Sequence, residues 1–76
     1  DLYNRQEFVV KVLRQVFFLP QEEAFDVMLK VHHTGKAIVG SYIFDIARSK
    51  AQAAERMARA EGFPLKVTLE EQSLPF

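Results

Sequence analysis

The sequence predicts an α/β domain of the α+β kind, helices packed on a small sheet. Three observations predict it: two apolar stripes of helical period before residue 34, an alanine-rich run over 44–61, and two short β-like segments at 36–42 and 65–70. At 76 residues there is room for one core, since two would each fall below the size at which burial offsets chain entropy.

The first helix is expected to open at Asn4. Asn4, Arg5, Gln6 and Glu7 have the form of a capping box, in which the Asn4 side chain accepts the backbone N–H near Glu7 and Glu7 reaches back to the Asn4 amide. From there Phe8, Val9, Val12, Leu13, Val16 and Phe17 recur at helical spacing, with Lys11, Arg14 and Gln15 on the wetter side. Pro20 suits the first turn of a second helix, where its missing N–H has no intrahelical partner, and Glu22 and Glu23 favour the positive helix end. This helix is expected to run to His33, with Gly35 just past its last turn. Ala24, Val27, Met28 and Val31 form its stripe, flanked by a ridge of Phe25, Leu29 and His32.

After the Gly35 break, residues 36–42 are short and partly β-branched and read as a strand, in which Gly40 permits a close approach by a neighbouring group. The run over 44–61 has high helix propensity, with Ile46, Ala47, Ala54, Met57 and Ala58 as its inward face. Gly62 ends it and Pro64 blocks its continuation. Leu65, Val67 and Leu69 then alternate with Lys66, Thr68 and Glu70 as a half-buried strand, and the tail at 72–76 has no evident partner. Two strands alone make a marginal sheet, so the pattern asks for a further strand ahead of Asp1.

Composition narrows the function. Ten basic and ten acidic residues give zero formal charge with alternating signs, which argues against a broad nucleic-acid footprint. No apolar run approaches the ~20 residues that cross a bilayer. Without cysteine there is no disulfide, thiol catalyst or thiolate metal site, and a reducing compartment is compatible. His32 and His33, the only two histidines, are helix neighbours pointing about 100° apart, poor joint ligands of one ion and well suited to a helix C-terminus. Ser41 and Ser49 stand in no nucleophile motif, and Gly35 with Lys36 lacks the rest of a phosphate loop. The reading is therefore no enzyme, no cofactor, no metal, no nucleic acid and no membrane.

Three blocks, Asn4 with Glu7, Phe8 and Val9, then VMLKVHHTGKAIVG at 27–40, then Phe63, Pro64 and Leu65, closely resemble the ClpS family of protease adaptors. The resemblance covers nearly all of residues 1–71, which it implies are a single adaptor core. It implies a ClpS-like sandwich: a three-stranded antiparallel sheet packed against three helices, with the first family strand missing from this chain. It also implies the function. Such an adaptor binds N-degron proteins, those bearing a destabilising N-terminal Leu, Phe, Tyr or Trp, and delivers them to a Clp AAA+ unfoldase of the ClpA or ClpC type for degradation. The setting would be bacterial cytoplasm, or a plastid or other bacterial-derived organelle. A generic protein-interaction domain, or a ribosomal-stalk-like one, is the alternative from another class.

Carried over position by position, the resemblance assigns Asp1, Asn4 and His32 to the substrate N-terminus. Gln6, Met28, Val31 and Leu65 form the hydrophobic pocket and its gate, and Asp45 and Lys50 the unfoldase interface. Three positions depart from the family pattern, which commonly has threonine at Asn4, methionine at Gln6 and a second aspartate at Leu2. The chemistry fits the assignment. A free terminus offers an ammonium and a large apolar side chain; Asp1 accepts from the ammonium with charge assistance, and a neutral His32 accepts through a ring nitrogen or holds a water. Protonated, His32 would repel the ligand. A free imidazole titrates near pH ~6.5, so binding is expected to weaken as pH falls below that region. An affinity that stays flat down to pH ~5.5 with the fold intact removes His32 from that role.

Overall fold

The computed structural model describes residues 2–71, with side chains within 4–71. Asp1, the Leu2 side chain and the tail at 72–76 lie outside the described residues. Three helices follow one another, α1 (Leu2–Gln15), α2 (Gln21–Thr34) and α3 (Phe44–Glu61), and the chain divides after Tyr42 into two compact units.

In the first unit α1 and α2 form an antiparallel hairpin. Its core is Leu13, Ala24 and Met28, with Val9, Phe17, Leu19, Val27, Leu29 and Val39 packed around them. Phe8 and Val12 are buried as well, so the stripe read from the sequence is the shielded face of α1. The helix starts two residues before Asn4. Asn4 thus sits inside the first turn instead of capping it, and the expected start is corrected. Pro20 is the N-cap of α2, extended at φ −60° and ψ 157°, and its carbonyl accepts from the Ala24 amide at 2.8 Å. At the other end Gly35 takes φ 90°, a left-handed conformation open to glycine at no steric cost, and its N–H donates to the Val31 carbonyl at 2.9 Å. Thr34 Oγ1 lies 2.7 Å from the Lys30 carbonyl and 2.9 Å from that of Lys36, its one proton serving either, which fastens the exit from the helix. Beyond it the Tyr42 ring folds over Gly40, where a Cβ would meet the Tyr42 hydroxyl at 2.9 Å, and stands 6.3 Å from the Phe17 ring.

In the second unit α3 spans the predicted residues. Its fully shielded positions are Ala51, Ala54 and Ala58, with Ala47 and Met57 half-buried; Ile46, expected inside, is exposed. Ala47, Ala51, Ala54 and Ala58 make a stripe of small side chains at helical spacing. Gly62 closes the helix at φ 74° as a Schellman turn, with the Phe63 amide donating to the Ala58 carbonyl at 2.9 Å. The segment after it is held to the helix by Glu55, whose carboxylate accepts from the Val67 amide at 3.3 Å.

The α/β class, with an antiparallel sheet packed against three helices, is contradicted. No strand occurs among the described residues, and 36–43 and 63–71 run without helix or ladder. The local pattern did set side-chain direction: Ala37 and Val39 are half-buried between exposed Lys36, Ile38 and Gly40, and Phe63, Leu65 and Val67 between exposed Pro64, Lys66 and Thr68. A strand, however, is defined by hydrogen bonds exchanged with a neighbour, and alternation of period two carries no information about where that neighbour is. No helix of the described residues is long and apolar enough to cross a membrane.

Candidate functional site

The α1–α2 hairpin sets the geometry of the proposed site. Arg14 Nη1 donates to Gln21 Oε1 at 2.6 Å, which fixes the end of α1 beside the start of α2. One open groove along this seam has both Gln6 and Met28 in its wall.

Among the residues expected to bind the substrate terminus, Asn4 is exposed on the first turn of α1, and His32 is exposed on the last turn of α2 with its ring 5.3 Å from that of His33. Asp1 lies outside the described residues. Of the expected pocket residues, Met28 is only 4% exposed, while Gln6 and Val31 are half-buried. Of these residues Gln6 and Met28 line the same groove, and Val31 and His32 follow Met28 along α2 toward its C-terminus. Leu65, half-buried, belongs to the second unit, as do exposed Asp45 in the first turn of α3 and half-buried Lys50. Among the described residues no group of three or more His, Cys, Asp or Glu could hold a metal ion.

The sequence reading missed the far end of the groove. Phe18 has φ 57°, a left-handed conformation that costs a residue with a Cβ about 1–2 kcal/mol, yet the residue is 76% exposed. The turn is closed across it by the Leu19 amide donating to the Leu13 carbonyl at 3.1 Å. Phe18, Leu19, Pro20, Phe25 and Val10 line the groove beside Met28, with Glu7, Lys11 and Arg14 along the α1 side. The one available signal was that Phe18 falls outside the apolar stripe ending at Phe17, and two adjacent aromatics cannot share one helix face.

The family profile described as "ATP-dependent Clp protease adaptor protein ClpS" matches residues 1–68. The adapter protein ClpS of Neisseria gonorrhoeae is 49% identical over 71 residues, 93% of this chain and 68% of the relative. Those of Desulforapulum autotrophicum and Acetivibrio thermocellus are each 43% identical over 72 residues, 95% of this chain and 69% and 73% of the relatives. No solved structure gives a significant match. With a family match over nearly its whole length and relatives at this identity, the chain belongs to the ClpS family of ATP-dependent Clp protease adaptors.

Proposed function

We infer that this chain is an adaptor that binds proteins carrying a free, destabilising N-terminal residue and hands them to a Clp AAA+ unfoldase, with no catalytic step of its own. The observation that carries this is the family match over residues 1–68. The hairpin geometry supports the residue roles. Gln6 and Met28 share a groove wall, with Asn4 two residues before Gln6 on α1 and His32 four residues after Met28 on α2. That pairing suits a ligand whose ammonium and apolar side chain leave the same carbon. Asn4 and His32 accept from the ammonium together with Asp1, whose role rests on the resemblance, as does that of Leu65 in the apolar lining. Met28 adapts its flexible thioether to either a leucine or an aromatic ring. Asp45 and Lys50 are the proposed unfoldase contacts. The relatives named above are bacterial, which favours bacterial cytoplasm over a plastid as the place of action.

The test is fluorescence anisotropy with peptides differing only at residue one: Leu, Phe, Ile, Ala and N-acetyl-Leu. Burying a leucine or phenylalanine side chain contributes ~1.5–3 kcal/mol, so Leu and Phe are expected to bind at least about tenfold tighter than Ala. Acetylation removes the charge and should abolish binding. Gln6, unbranched and close to methionine in length but carrying an amide that needs a partner, closes the pocket less well against apolar groups, so Ile is expected to be admitted weakly. Uniform weak binding across the series, acetylated peptide included, overturns the terminal-residue reading. Complete exclusion of Ile removes only the role given to Gln6.

A further inference from the structure

We propose that the α1–α2 groove is a second subsite, which holds the substrate chain just downstream of the terminal residue and prefers a carboxylate side chain at its far end. The inference rests on the terminal-residue reading above. Gln6 and Met28, which that reading makes the gate and wall of the pocket, line this groove, so on that reading the two are continuous. From Gln6 to Arg14 the groove follows α1 for ~12 Å, the span of about four residues of extended chain. Any substrate held by its first residue has further chain to place, and the groove offers it Val10, Leu19 and Phe25 as an apolar wall beside Met28.

Its charge is ordered along its length. Glu7 stands at the pocket end, Lys11 one turn on and Arg14 nearly a second turn on. Arg14 uses one donor on Gln21, and a guanidinium has five. An extended chain entering from the pocket therefore meets a carboxylate first and two cations last, which places the favoured acidic side chain at about its fourth or fifth residue. Phe18 forms the far wall, its ring exposed in a left-handed conformation that glycine would adopt freely. At that exposure the ring presents an apolar face to whatever lies in the groove.

Competition anisotropy on the full chain tests this with Leu-first peptides of three and of ten residues, the long ones carrying Glu or Lys at positions four and five. The Glu peptide is expected to outbind the Lys peptide about three- to tenfold, the size that two exposed ion pairs can supply, and added salt should narrow the gap. Lys11→Glu combined with Arg14→Glu should reverse the order. Phe18→Gly should weaken the long peptide and leave the tripeptide unchanged, without lowering the thermal midpoint, which separates a docking role from a structural one. Equal binding of short, long and charge-swapped peptides, with the free-over-acetylated preference intact, overturns the second subsite alone. If the acetylated peptide binds as well as the free one, the terminal-residue reading falls and this inference with it.

Discussion

Met28→Ala is expected to lower stability by about 2–5 kcal/mol, while Met28→Leu stays within ~1.5 kcal/mol of the parent. Met28 is nearly fully buried and shares a cluster with Leu13 and Ala24 that Val9, Val27 and Leu29 close off. Truncation removes the thioether arm from within that cluster and leaves a cavity. Urea denaturation gives the number; a loss below ~1 kcal/mol means that this cluster is not the core. The same side chain also faces the groove, so the substitution has a second readout. At a temperature where Met28→Ala is still folded, a Leu-first peptide should bind at least about tenfold more weakly than to the parent, and Met28→Leu should restore most of the affinity. Unchanged binding by a folded Met28→Ala confines the residue to packing.

The helices were legible because each carries both a period and a stop. α3 was bounded to the residue by the alanine run and by Gly62, whose left-handed turn needs a glycine. The end of α2 came within one residue for the same reason at Gly35. α1 was misread at its start because Asn4 and Glu7 match a capping pattern that a helix interior can also contain, and nothing local distinguishes the two. Ile46 was placed inside because large apolar residues usually are; the alanines at 51, 54 and 58 take the shielded side, and Ile46 is left exposed. The sheet failed for a different reason. Residues 36–40 and 63–68 have the burial alternation of strands, though Leu69, expected half-buried, is exposed; pairing depends on a partner distant in sequence, and propensity cannot supply one. For the site, the family pattern named individual positions, of which Gln6 and Met28, 22 positions apart, line one groove because α1 and α2 pack against each other. Of Phe18 the sequence shows only that it falls outside the apolar stripe, since its left-handed backbone angle is encoded by no composition or period.

Ala54→Leu is expected to destabilise the protein by about 1–3 kcal/mol, and Ala60→Leu, six residues along the same helix, by less than ~0.5 kcal/mol. Alanine and leucine have nearly equal helix propensity, so the backbone term is the same at both sites and the difference reports packing alone. Ala54 has no solvent exposure and stands between Ala51 and Ala58 in the small-residue stripe. A surface that leaves an alanine methyl fully covered has no space for three further carbon atoms, which must either take a strained rotamer or push the helix outward. Ala60 is exposed, and a leucine there extends into water. Thermal unfolding of the two variants side by side decides the matter. A large loss at Ala54 with none at Ala60 establishes the stripe as a close-packed face, and equal small losses at both would mean that α3 is held by its flanking turns and not by its alanines.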